Sequence, residues 1–346
     1  MIQCHTFNSF TRTDLWTGGP YLLSQFVGGM AAPLFLFMAG MTLAFQMDGL
    51  DRREPDALRR WLRSLRRAGY ILGIAFAFRL SCFVASLPGA DPHEILKVDI
   101  LNCMGVGMAA FSVAAVFDAK NRARFAAAAG LAIAAAAPLV ANLPWAGAPL
   151  LLRQYLAAEP GVGRFAFFPC AAYIGFGLAA GAIVKRTETE RFERLMQWSV
   201  LTGVGLVLGG EYFSSIPYSL YTKSNFWSDS PVLVLIRAGL LLVMMAGAYL
   251  WTEHAAGAGW SWMQTLGKNS LMVYWVHVML VYGGLVARLK RALEIPQAAL
   301  ATVVVVLLML GLSVAWMGWK KRRAERRMAL PKASDSPLQL ERVHQV

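Results

Sequence analysis

From Phe26 to Phe45 the chain reads FVGGMAAPLFLFMAGMTLAF, twenty residues without one charged side chain. A helix rises about 1.5 Å per residue, so this run matches the hydrocarbon core of a bilayer, about 30 Å thick. Water is absent there, and a backbone that meets no water must satisfy its own hydrogen bonds. A long uncharged run does so only as a helix. The pattern recurs along the chain, which is 57% hydrophobic and 15% charged, against roughly 45–50% and about 25% in soluble domains. The alternating strands of about ten residues that a membrane β-barrel needs are not seen. The chain reads as an all-α, polytopic transmembrane bundle.

Nine spans are expected, at 22–46, 68–87, 98–117, 125–145, 165–184, 197–214, 231–252, 269–287 and 297–319. Residues 1–319 then form one membrane domain, and 320–346, polar and basic, a solvated tail. No charged segment leading into an apolar core follows Met1, so no signal peptide is read there. The net charge of +13 raises the question of nucleic acid, and the placement of the cations answers it. With the loop after the first span in the cytoplasm, 23 Lys and Arg fall in inside segments and 8 in outside ones. That asymmetry is the positive-inside pattern of a membrane protein and puts the C-terminus in the cytoplasm. Arg288, Lys290 and Arg291, on the outside, read as snorkelling from a helix end. The same orientation leaves residues 1–21 outside with no span before them. Ile2, Gln3 and Cys4 look like the last turn of a helix, so a tenth, upstream span is expected.

An ionisable group within a membrane helix costs roughly 2.5–3.5 kcal/mol, so each needs a partner or a task. Most of Arg79, Arg237, Asp99, Asn102, Glu211 and His5 fall in the outer half of the bilayer on this topology, and together they have the composition of a polar site. A plainer reading makes Arg79–Asp99 and Arg237–Glu211 ion pairs that fix helix packing. His5 has an unperturbed pKa near 6.5 and the chemistry of a general base; taken alone it also fits an interfacial residue. Ser270, Tyr274 and His277, spaced i, i+4 and i+7, share one helical face. They are either a second polar stripe or an interhelical hydrogen bond worth about 0.6 kcal/mol.

Other signals are plainer. Gly177 with Gly181, and Gly205 with Gly209, have the spacing that lets helices approach closely. The alanine-rich fourth span reads as filler. Tyr212, Phe213, Tyr218, Tyr221, Phe226 and Trp227 read as an interfacial aromatic belt, or as rings that stack on sugars. Cys4, Cys82, Cys103 and Cys170 lack metal-ligand spacing and read as apolar packers. Phosphate-cradling, zinc-protease and serine-elbow motifs are missing, and no segment is long enough for a nucleotide domain.

Five blocks taken together carry a resemblance: MIQCHTFNSF, FVGGMAAPLFLFMAGMTLAF, RRAGYILGIAF after an arginine-rich loop, VDILNCMGVGMAAFS and LGKNSLMVYWVH. In order and spacing the chain resembles the bacterial relatives of heparan-alpha-glucosaminide N-acetyltransferase, within the transmembrane acyltransferase superfamily. The resemblance implies transfer of an acetyl or other acyl group from cytoplasmic acyl-CoA to a hydroxyl or amino group of a carbohydrate-like acceptor outside. It implies a multi-pass protein of a bacterial inner membrane, a homodimer as one possible assembly, and no metal. His5 matches the family's histidine and would deprotonate the acceptor or carry the acyl group. Arg79 and Arg237 would stabilise an oxyanion or grip CoA phosphates, Asp99 and Asn102 would orient His5 or the acceptor, and Glu211, Ser270, Tyr274 and His277 would line the substrate side. The competing class is a transporter of small molecules or lipid-linked sugars, which also buries charged pairs. No inverted repeat of the kind many transporters carry is evident.

Overall fold

A computed structural model describes residues 1–85, 95–145, 147–157, 165–217, 220–255, 257 and 259–329. Its helices are α1 (Ile2–Phe10), α2 (Gly19–Gly29), α3 (Ala31–Asp51), α4 (Ala57–Ala85), α5 (Ile100–Phe111), α6 (Ala119–Ala141), α7 (Leu150–Leu156), α8 (Phe167–Arg186), α9 (Thr189–Ser215), α10 (Pro231–His254), α11 (Trp262–Lys268), α12 (Ser270–Tyr282) and α13 (Ile295–Ala329). No strand occurs among the described residues. The fold class expected from hydropathy is therefore present.

The span count is not confirmed. Among the described residues, six helical stretches are long and apolar enough to cross a bilayer: Gly19–Asp51, Ala57–Ala85, Ala119–Ala141, Phe167–Arg186, Pro231–His254 and Ile295–Arg326. Two further apolar helices, Ile100–Val116 and Ser270–Tyr282, are shorter. At 13 residues, α12 extends only about 20 Å, less than the hydrocarbon thickness. The remaining expected span, 197–214, lies in α9, whose first turns carry Glu190, Arg191, Glu193 and Arg194. At the other end α13 runs on to Ala329, past the expected edge of the tail; the rest of that tail lies outside the described residues, as does Tyr218. Leu201 and Leu208 on α9 and Leu300, Val303 and Leu307 on α13 are exposed, which is how lipid-facing positions look without lipid.

The chain divides into two compact units. The first, Thr17–Ala258, holds α2 to α10, and small residues set its packing. A Cβ added at Gly40 of α3 would overlap the Ile174 carbonyl of α8; one at Gly177 of α8 would overlap the Phe37 carbonyl of α3. Gly181 meets Met41 in the same way, so the small-residue spacing on α8 is a helix contact. The pair on α9 is not. Nothing lies within 4 Å of a Cβ at Gly205 or Gly209; the contact with α10 is made by Gly203, against Gly239, and by Gly210, against Ile236. The spacing selects a face, and only packing says which face is covered. The alanine helix, α6, is likewise more than filler: Ala126, Gly130, Ala134 and Ala137 are buried, and Gly175 of α8 sits against the Ala126 carbonyl and Gly130. Gly177→Val should therefore destabilise the protein by at least about 1–3 kcal/mol, the range for overpacking. Gly205→Ala should be neutral or gain about 0.5–1 kcal/mol from helix propensity. Thermal unfolding in detergent separates the two.

The end of α3 and the starts of α4 and α6 carry an ion-pair node not anticipated from spacing. Arg122, 1% exposed, donates through Nη2 to both carboxylate oxygens of Asp51 at 3.0 Å and to the Phe117 carbonyl at 2.8 Å. Its Nε reaches the Ala114 carbonyl at 3.1 Å. Arg60 Nε lies 3.3 Å from the same Asp51. One carboxylate thus ties the end of α3 to the starts of α4 and α6.

The second unit comprises Ile2–Trp16, Gly259–Tyr282 and Val286 onward, with α1, α11, α12 and α13. Its core is Phe10, Val273, Val281, Val305 and Met309. The last carbonyls of a helix have no intrahelical donor; here Arg291 N donates to Ser9 O, and Ala292 N and Leu293 N to Phe10 O. Arg291 adopts a left-handed φ of 54° to make that turn. Lys290 Nζ donates to Tyr282 O, the last residue of α12, at 2.7 Å, and the Arg291 guanidinium lies over the Trp16 ring. Lys290 thus sets its ammonium at the C-terminus of α12, where a cation is favoured, and Arg291 closes α1 through its backbone N–H.

Candidate active site

In the second unit two imidazoles meet. His5 on α1 and His277 on α12 are joined by a contact of 3.1 Å between His5 Nδ1 and His277 Nε2. Helix packing supplies the register: Ser9 Oγ, one turn beyond His5, donates to Val281 O at 2.9 Å, one turn beyond His277. His277 is 1% exposed, and its Nδ1 is bonded to the Val273 carbonyl one turn earlier. Tyr274, at the expected i−3 position, lies edge-on to His277 with centroids 6.0 Å apart. Tyr282 lies edge-on to His5 at 5.6 Å, and Asn8 Nδ2 donates to its hydroxyl at 3.1 Å. The polar stripe read on the eighth span is thus realised by Tyr274 and His277. Ser270, at the first turn of α12, is exposed.

In the first unit Asp99 and Asn102 stand together with Arg79. Asp99 is the N-cap of α5: its Oδ1 accepts from Leu101 N at 2.9 Å and Asn102 N at 3.2 Å, while its own N donates to Asn102 Oδ1 at 3.3 Å. Each side chain gives one oxygen to the capping box that a buried helix start requires. Asp99 Oδ2 faces Arg79 Nε at 3.1 Å, with side chains 7% and 14% exposed, so the expected ion pair between neighbouring helices is present. Asn102 Nδ2 also donates to Tyr155 Oη at 3.1 Å. Replacing Asp99 by Ala should cost about 0.5–2 kcal/mol for the lost cap alone; Asp99→Asn keeps an acceptor there and should cost less, as read by chemical denaturation.

Arg237 does not pair with Glu211, which is exposed on α9. Its guanidinium lies instead beside the buried Tyr173 and near Cys170 of α8, and Nη2 is 3.9 Å from where a Cβ on Gly29 would be. No carboxylate pairs with it among the described residues. The thiols of Cys103 and Cys170 are in hydrogen-bonding reach of each other, and none of the four cysteines forms a disulfide. No cluster of three potential metal ligands occurs among the described residues.

Tyr155, Tyr173, Asn8 and Tyr282 were not singled out by sequence. Tyr155 lies on a seven-residue helix inside what reads as a loop, and Tyr173 inside an unremarkable apolar run. Only Tyr282 carried a signal, five residues past His277 at the end of its helix. The aromatic belt is partly as expected: Tyr212, Phe213 and Trp227 are exposed, whereas Tyr221 donates its hydroxyl to the Ala135 carbonyl at 2.9 Å.

Comparison with known proteins bears on what these groups do. No curated protein matches the chain. A family model described as an acyltransferase domain, that of the acyltransferase-3 superfamily, matches residues 1–317. The match supports the broad superfamily and not the narrower heparan-alpha-glucosaminide branch that the sequence blocks resemble. Membrane-length apolar helices and a match over nearly the whole chain place it together: it belongs to the acyltransferase-3 family of membrane acyltransferases.

Proposed function

We propose that the protein takes an acetyl or other acyl group from acyl-CoA on the cytoplasmic side and transfers it to a hydroxyl or amino group of a carbohydrate-like acceptor on the outer side of a bacterial inner membrane. His5 is the general base. The observation that carries this reading is the His5 ring itself: one nitrogen is engaged by His277 and none of the contacts above occupies the other. A base must present a lone pair to the proton it removes, at about 2.6–3.2 Å. Arg237, a membrane-depth guanidinium with no carboxylate partner among the described residues, suits an anionic part of the donor, either CoA phosphate or the thioester oxygen. Arg79 is already neutralised by Asp99 and serves the scaffold of that helix start.

The test uses the purified chain in liposomes, with acyl-labelled acetyl-CoA and a panel of amino and hydroxyl sugars. Acceptor-dependent release of free CoA with label in a sugar ester or amide is the expected result. Accumulation of unmodified sugar inside the vesicles without CoA release overturns the reading in favour of transport.

A further inference from the structure

We propose that His277 is a positioning residue that fixes His5 as the Nδ1–H tautomer, making Nε2 the basic nitrogen. This rests on the reading of His5 as the base and assigns the partner that prepares it. The donor and acceptor roles follow from the far end of the chain of contacts. His277 Nδ1 meets the Val273 carbonyl, which can only accept, so the proton is on His277 Nδ1. A neutral imidazole protonated there offers a lone pair at Nε2. That nitrogen lies 3.1 Å from His5 Nδ1, which must then be the donor. The remaining nitrogen of His5, Nε2, keeps its lone pair.

The ring geometry agrees. The two ring planes differ by only 18° with centroids 5.1 Å apart, so the rings lie close and near parallel at the 3.1 Å nitrogen contact. His277 is 1% exposed, so a second proton on it would place a charge in a buried site. Tyr282, held by Asn8, closes one side of the His5 ring and limits its rotation.

In the transfer, the acceptor O–H (or N–H) gives its proton to His5 Nε2 while the acceptor oxygen or nitrogen bonds to the thioester carbonyl carbon. The C–S bond then breaks and the departing thiolate takes the proton from Nε2, leaving His5 as it began. His277 holds the Nδ1 proton throughout and touches neither substrate, so its contribution is to tautomer and orientation. Holding the wrong tautomer in a comparable orienting arrangement costs up to about 10⁴-fold.

The closing experiment has two parts. Selective ¹⁵N-histidine labelling of the full chain, with His5→Ala and His277→Leu used for assignment, reads which His5 nitrogen is protonated. An unprotonated Nε2 in the wild type supports the relay, and a protonated Nε2 overturns it whatever the variants do. In the acyl-transfer assay His277→Leu, which offers no acceptor, should lose at least about tenfold in kcat with little change in KM for acetyl-CoA; His277→Gln, whose Oε1 can accept from His5 Nδ1, should recover most of it. If His5→Ala is inactive while His277→Leu is fully active, the relay fails and the general base stands. If His5→Ala is active, both fall.

Discussion

Replacing His5 with alanine should lower acyl transfer by about 10²- to 10⁴-fold, the usual contribution of a positioned acid–base group. The fold should survive the change. His5 is half-buried on a nine-residue helix, and that helix is held mainly by Phe10 in the core, by Ser9 on the Val281 carbonyl and by backbone bonds to 291–293. None of these involves the imidazole. The main structural loss is the contact to His277, whose Nε2 would then lack its donor, at about 1–3 kcal/mol for a buried unsatisfied group. His5→Ala should accordingly insert into membranes and elute as wild type while transferring little or no label from acetyl-CoA. Full activity in a well-folded His5→Ala protein would falsify the catalytic assignment outright.

The second large effect is on folding. Arg122→Ala should destabilise the protein by about 3 kcal/mol or more. Removing one partner of a buried ion pair typically costs about 3–5 kcal/mol, because the other charge is left behind without compensation. Two features set where in that range the loss falls. Asp51 is 30% exposed and keeps Arg60 at 3.3 Å, which softens it. Against that, the Ala114 and Phe117 carbonyls lose the guanidinium that satisfies them, and the buried space of that side chain beyond Cβ is left unfilled. Arg122→Lys should fall between the two, since one ammonium cannot keep the planar fork on a carboxylate and two carbonyls at once. The fraction of monodisperse protein after mild heating in detergent ranks the three. An Arg122→Ala protein as stable as wild type would mean that the node is dispensable.

Much of the architecture was legible in the linear chain. Bilayer-length uncharged runs forced helices, because backbone groups in lipid have no other partner, and the same desolvation logic marked Arg79, Asp99, Asn102 and His277 as residues that had to be accounted for. Three of those four do form polar contacts with one another, and His277 contacts His5. The pairing of Arg237 was misjudged. Depth along a helix follows from counting residues, but azimuth does not, and Glu211 turns out to lie on an exposed face of α9. Arg122 was counted only as a loop cation for the same reason: charge and position in the sequence look alike for a solvated arginine and one 1% exposed.

The sequence by itself determined that this is a helical membrane protein with an imidazole near its start and a second in a late apolar helix, because those facts depend only on hydrophobicity per length of chain. What tertiary structure alone decided is that the two imidazoles, 272 positions apart, stand with Nδ1 of one 3.1 Å from Nε2 of the other, next to a backbone carbonyl. A hydrogen bond is set by ångström-scale separation and direction. Those quantities exist only once α1 has packed against α12, and no spacing along the chain encodes them.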